Sequence, residues 1–220
     1  MTPRAMAQQH VIDPSSIGQP TDHPIDIVPP PLRDFGAVPN FSLLKTGDLI
    51  LSRGLEPDWV ERSISGAQRR GGFSDDHSCW THAAVFLYGT LVAEAVPEKG
   101  VRVRSLYDDV LQCVSRVRRP RATDEQGAHI ALRGVAQLGT PYSVFAALQL
   151  GRHMRNGLWN PAALVSYGRK LICSKVYFDA HIEITKLPLS GCPMSGLVSP
   201  AHLSATDDLD DVLIPWVKPV

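Results

Sequence analysis

Residues 80–96, WTHAAVFLYGTLVAEAV, decide the fold. Two apolar runs, 82–87 and 91–96, flank Tyr88-Gly89-Thr90, a turn between two segments of strand composition, and together they predict a β-hairpin. Glu94 interrupts the second run. A carboxylate inside an apolar strand calls for a partner, because burying it unpaired is costly. If the hairpin turns about Gly89, Glu94 lies across from Ala84, and His82 shares that face two residues away. Such a diagonal spans about 7–8 Å between backbones, within reach of a Glu–His hydrogen bond. A slip of one residue would put the two side chains on opposite faces.

Outward from the hairpin, Gly100-Val101-Arg102-Val103-Arg104 alternates apolar with basic residues, as a half-exposed third strand would, and a fourth strand is expected around Gln112 to Val117. Upstream, Leu49-Ile50-Leu51 follows the turn residues Lys45-Thr46-Gly47-Asp48 and reads as a short buried strand; Asp48 is taken as a turn residue. A helix opens near Pro57-Asp58-Trp59 and closes at Arg70-Gly71-Gly72, followed by a polar loop over 74–80. Downstream, residues 125–138 form a helix ended by Gly139, 142–171 are mostly helical with a break at Asn160-Pro161, and 173–184 form a helix with Val176, Tyr177, Ala180 and Ile184 on one stripe. The chain returns through Pro- and Gly-rich loops to an apolar patch from Val212 to Trp216. The expected class is α+β, a small antiparallel sheet packed against helices. Residues 1–40 are proline-rich without periodicity and are expected to form an arm, removable without unfolding a domain over 41–220.

The composition is that of an ordinary globular protein, 44% hydrophobic and 20% charged. Lys+Arg and Asp+Glu are equal at 22, so there is no basic excess of the kind nucleic-acid binders carry. The pairs Arg69-Arg70 and Arg118-Arg119 read as solvated surface. The N-terminus lacks an apolar leader, and no run approaches the ~18 apolar residues of a membrane span. Synthesis as a soluble cytoplasmic protein is therefore expected. Four cysteines without a CxxC pair are expected as free thiols, one of them a candidate nucleophile.

Cys173 stands where the apolar Leu171-Ile172 meets a helix start. Unpaired backbone N–H groups and the positive end of the helix dipole favour the thiolate there, although a cysteine in this position is also readable as a small buried hydrophobe. A carboxylate on one nitrogen of His82 would fix its tautomer and free the other nitrogen to activate a thiol. Cys173, His82 and Glu94 thus form a candidate nucleophile, base and orienter. Tyr142 is a candidate wall or oxyanion donor, and Trp80 a further candidate substrate contact. His77, Cys79 and His82 resemble half a metal site without a second ligand pair, so neither zinc nor another cofactor is expected. His181, two turns beyond Cys173, is assigned to packing.

Five segments in this order carry a family resemblance: Thr46-Gly47-Asp48-Leu49-Ile50-Leu51; Trp80-Thr81-His82-Ala83-Ala84-Val85; Val92-Ala93-Glu94-Ala95 with Gly100-Val101 and Leu106; Gly139-Thr140-Pro141-Tyr142-Ser143; and Ile172-Cys173-Ser174. They resemble the permuted NlpC-type papain-like hydrolases, relatives of the lecithin retinol acyltransferase-like proteins, in which the histidine strand precedes the cysteine helix. The resemblance extends over roughly residues 43–205, including Val198-Ser199-Pro200-Ala201. It implies Cys173 as nucleophile, His82 as base and Glu94 as third member. The apolar stretch between Tyr142 and Cys173 and the N-terminal arm depart from the pattern.

The resemblance implies a cysteine peptidase or amidase acting on peptidoglycan stem peptides. Since the wall lies outside the cytoplasm, such a protein would travel by a signal-less secretion route, as an antibacterial effector toxin paired with an immunity protein. The alternative it implies is a phospholipase-like acyl hydrolase or acyltransferase on lipid esters, with Val144 to Leu150 lining an acyl groove. A non-catalytic binding module on the same fold is the third reading.

Overall fold

The structure, a computed structural model, describes residues 11–16, 21–25, 29–156, 171–193 and 197–219. Its centre is a seven-stranded antiparallel sheet. β1 (Val11–Ile12), β8 (Cys113–Pro120), β4 (Leu49–Gly54), β5 (His82–Tyr88), β6 (Leu91–Val96) and β7 (Gly100–Ser105) follow one another across it, and β9 (Leu209–Val212) pairs with the far end of β8. A smaller sheet joins β2 (Thr21–Ile25), β10 (Trp216–Pro219) and β3 (Val38–Pro39).

The helices are α1 (Pro30–Phe35), α2 (Trp59–Arg70), the single turn α3 (Asp75–Ser78), α4 (Asp124–Val135), α5 (Val144–Asn156), α6 (Cys173–Thr185) and α7 (Pro200–Ala205). α2 begins at a capping box in which Asp58 accepts from the Glu61 N–H and Glu61 reaches back to the Asp58 N–H. Thr123 and Gln126 do the same for α4. Residues 74–78, expected as loop, are partly helical in α3. Residues 157–170, including the expected break at Asn160-Pro161, lie outside the described residues.

Both faces of the large sheet are covered, which is why β4 and β5 read as nearly continuous apolar runs. On one face Leu49, Leu51, Ala83, Val85, Ala93 and Ala95 pack against Val176, Tyr177 and Ala180 of α6 and Ile130 of α4. On the other, Ile50, Ala84, Phe86, Val92 and Val117 pack against Ile12, Leu32, Val38, Phe41, Ile214 and Val217. The stretch expected as a dispensable arm therefore supplies part of the second core, and the packed body starts before Phe41. Proline did not prevent this: Pro30 and Pro31 open α1 at its first positions, where a missing N–H leaves no intrahelical bond unmade.

Two motif glycines hold close approaches. Gly47 has φ +91°, and a side chain there would strike the backbone of Gly127. Gly100 has φ +68°, and its missing side chain admits the Thr140 carbonyl, which accepts from the Val101 N–H at 2.9 Å. The second contact ties β7 to the 139–143 segment. Leu171 pairs beside Tyr142, so that segment runs next to the start of α6.

The basic pair Arg118-Arg119 is not solvated. Arg118 is 6% exposed and donates to the carbonyls of Leu203, Ser204, Thr206 and Leu209, anchoring α7 and β9 to β8. Arg119 grips the buried Asp48 carboxylate through Nε at 2.9 Å and Nη2 at 2.8 Å. Asp48 also caps its own turn, accepting from the Lys45 N–H at 2.8 Å. Arg69 is exposed as expected, in an ion pair with Asp75.

Candidate active site

β5 and β6 pair with Ala84 opposite Glu94, the register on which the hairpin reading rests. His82 Nε2 and Glu94 Oε2 are 2.8 Å apart. The other ring nitrogen is thereby left for Cys173, which lines the same cleft and whose charge acts on the His82 ring. Cys173 is the first residue of α6, and Ile172 before it offers no side-chain cap. The helix start and the Ser174 and Ala83 amides favour the charged form of the thiol.

The three groups perturb one another strongly. Burial of Cys173 works against its thiolate, but the hydrogen bond and charge of His82, with the two amides, outweigh it and bring the thiol pKa below its ordinary 9.0. Burial likewise disfavours the imidazolium of His82, yet the Cys173 thiolate and the Glu94 carboxylate together raise its pKa to about 10. Glu94, 1% exposed, is held ionised well below the usual carboxylate range: His82 and Arg104 more than offset the cost of its burial. Both shifts favour the thiolate–imidazolium pair over the neutral thiol and imidazole. The other three thiols move the opposite way through burial, Cys113 and Cys192 each to about 12.

The sequence reading missed the clamp behind Glu94. Arg102 donates through Nε at 3.0 Å and Nη2 at 2.8 Å to Oε1, and Arg104 Nε lies 2.8 Å from Oε2. Apolar–basic alternation in β7 was the available signal, but it was taken for a solvent face. Arg102 stands opposite Glu94 in the ladder, and Arg104 is nearly buried between Glu94 and Asp109.

Tyr142 comes to the site. It lines the same cleft as Cys173, and burial followed by the thiolate charge raises the pKa of its hydroxyl. Trp80 does not: it is 4% exposed, packs in the core, and its indole N–H donates to the Asp76 carbonyl at 3.0 Å. The expectation that Trp80 touches substrate is corrected, since an indole already buried and hydrogen-bonded has nothing to offer. His77 pairs with Ser204 Oγ rather than joining Cys79 and His82, and among the described residues no group of three or more His, Cys, Asp or Glu could hold a metal ion. His181 is buried against Tyr177, and desolvation lowers its pKa to about 4.

Two spaces meet at the sulfur. A polar cleft of about 370 Å³ contains His82, Glu94, Arg102, Arg104 and Tyr142. A small apolar cavity of about 50 Å³ lies between α2 and α5, walled by Ile64, Ala67, Leu150, Met154 and Ile172.

No protein-family model matches the chain, and no curated protein matches it. Among solved structures it is similar to the metalloprotein YiiX from Escherichia coli O157:H7, with a TM-score of 0.54 and 17% sequence identity, over 76% of this chain and 96% of that one. The likeness is one of fold.

The charge state of the site can be tested directly. If Cys173 acts as a nucleophile with His82 as its proton donor, activity should rise with pH as Cys173 loses its proton below pH 9 and fall above about pH 10, where His82 loses the proton that pairs with the thiolate. Glu94→Gln removes one charge that raises the His82 pKa, so the alkaline limb should move to lower pH. It should cost about 10- to 100-fold in turnover, against roughly 10³-fold for His82→Ala, because an amide still orients the ring without stabilising its charge. An alkaline limb that stays in place in Glu94→Gln would remove Glu94 as the third member.

Proposed function

We propose that this chain is a papain-like thiol hydrolase of permuted order, with the histidine strands before the cysteine helix, and that it cleaves an amide bond in peptidoglycan stem peptides. The observation that carries the reading is a cysteine at a helix start sharing one cleft with an imidazole that a buried carboxylate holds from behind. In the proposed reaction the Cys173 thiolate attacks the carbonyl carbon, and the Ser174 and Ala83 amides release the sulfur as its charge passes to the carbonyl oxygen. His82 gives its proton to the departing amine, leaving a thioester on Cys173. It then takes a proton from water, whose oxygen attacks the thioester carbonyl; the carbon–sulfur bond breaks, the acid departs and the thiolate is restored beside the protonated His82.

The size of the apolar cavity favours the peptide reading over the lipid one. A space of about 50 Å³ holds on the order of three or four water-sized groups, enough for a small aliphatic side chain and far short of a long acyl chain. One observation favours the lipid alternative. Trp59 and Val60 at the start of α2, and Val144 and Leu148 at the start of α5, are 73%, 38%, 56% and 67% exposed, and Val60 lines the cleft.

Mass spectrometry of purified muropeptides and of phospholipids after incubation with the protein separates these readings. New stem-peptide fragments are expected. Lysolipids in their place would transfer the site to lipid esters, and intact substrates in both arms, with a Cys173 that still reacts with iodoacetamide, would count against hydrolysis of either class.

A further inference from the structure

Beside the catalytic cleft lies a second pocket of about 400 Å³, walled by Arg53, Arg62, Arg69, Glu61, Ser65 and Gly54. Arg53, Gly54, Glu61 and Thr81 line both spaces, so the pocket opens onto the cleft that holds Cys173 and His82. Three arginines line it against one carboxylate.

That carboxylate is already engaged. Glu61 Oε1 accepts from the Gly54 N–H at 2.8 Å and from Thr81 Oγ1 at 2.9 Å, and Oε2 accepts from the Asp58 N–H at 3.2 Å. Glu61 is thus spent on holding β4, the start of α2 and the Thr81 segment together. The arginines are less committed. Arg62 donates through Nη1 to the Pro57 carbonyl at 2.6 Å. Arg69 makes an exposed ion pair with Asp75, an interaction that contributes little in water. Arg53 is the arginine that lines both the pocket and the cleft, and its Nε, closed off from solvent, makes no hydrogen bond among the described residues. A guanidinium fork is the complement of an oxyanion.

We propose that this pocket is an oxyanion subsite, in which Arg53, assisted by Arg62 and Arg69, holds a carboxylate or phosphate of the molecule whose acyl bond reaches Cys173. The part that concerns the substrate rests on the hydrolase reading; the pocket itself does not. Anion recognition in a pocket that shares its lining with the cleft would orient the substrate along the cleft and select acidic acyl donors over neutral ones of the same shape.

The test separates the two. Inorganic phosphate and, in a parallel arm, glutarate are titrated calorimetrically into full-length Cys173→Ala protein. Saturable binding of at least one is expected, weakened about tenfold by Arg53→Gln and several-fold by Arg62→Gln, with no change in Arg133→Gln, whose side chain pairs with Glu183 elsewhere. Arg62 is exposed on α2, so its variant keeps the test sound if Arg53→Gln folds poorly. Binding of phosphate alone or of glutarate alone assigns the group while supporting the subsite. Absence of saturation in both arms, or unchanged affinity in both arginine variants, overturns it. Anion binding with no hydrolysis by the wild type would leave the pocket standing and sink the hydrolase reading, whereas hydrolysis without anion binding would do the reverse.

Discussion

Replacing Cys173 with alanine is expected to abolish hydrolysis, with a loss on the order of 10⁴-fold or more, while the protein stays folded. Cys173 is the thiol whose pKa falls and the one at a helix start, and it shares its cleft with His82. Removing the sulfur deletes the atom that would form the thioester, and no neighbouring group can take its place: Ser174 is buried and its hydroxyl donates to the Val198 carbonyl at 2.5 Å. The fold should tolerate the change because alanine keeps the backbone and loses one atom from a partly polar contact. Cys79→Ala, Cys113→Ala and Cys192→Ala should each keep their activity, since burial holds those thiols protonated at neutral pH. Turnover and the unfolding midpoint of all four variants decide the matter. Full activity in Cys173→Ala would end the hydrolase reading, and loss in one of the other three alone would move the nucleophile there.

Deleting residues 1–40 is expected to cost several kcal/mol of stability or to abolish cooperative unfolding. Ile12, Leu32 and Val38 are buried against the sheet face formed by Ile50, Ala84, Phe86, Val92 and Val117. Full burial of such side chains is worth about 1.5–3 kcal/mol each before the entropy of ordering the segment is subtracted. The total is comparable with the ~5–15 kcal/mol that hold a typical domain together. The deletion also removes β1 from the edge of β8 and both partners of β10. Because Phe86 and Ala84 share β5 with His82, the loss should reach the site as well as the fold. The measurement is urea unfolding followed by far-UV circular dichroism. Leu32→Ala is the local version, with an expected cost of about 2–5 kcal/mol. An unchanged midpoint on truncation would return residues 1–40 to the status of a detachable arm.

The local arrangement of β5 and β6 was legible because strand side chains alternate strictly and a glycine marked the turn. Those two facts leave one register in which Glu94 finds a partner, and that partner is His82. The start of α6 at Cys173 was legible for a similar reason, since a helical stripe ends there and an apolar segment begins. Each of these signals lies within about a dozen residues of chain.

What remained hidden depended on which surface met which. The alternation in β7 is the same whether Arg102 and Arg104 face water or a buried carboxylate; only the pairing of β7 with β6 decides that they close on Glu94. Arg118-Arg119 looked like surface because charge usually is. Burial became affordable once the carbonyls of 203–209 and the Asp48 carboxylate were brought to them from distant parts of the chain. Trp80 was drawn inside by the core that α6 completes. The N-terminal segment has no period of its own, and its place was set by a sheet whose second face had to be covered. By itself, the sequence determined the hairpin, its register and the position of the cysteine, because these follow from backbone geometry and neighbouring residues. Tertiary structure alone decided the arginine clamp, the buried basic pair and the covering of the second face, because each is settled by a partner far away in the chain, and desolvation carries a net gain only when that partner is in place.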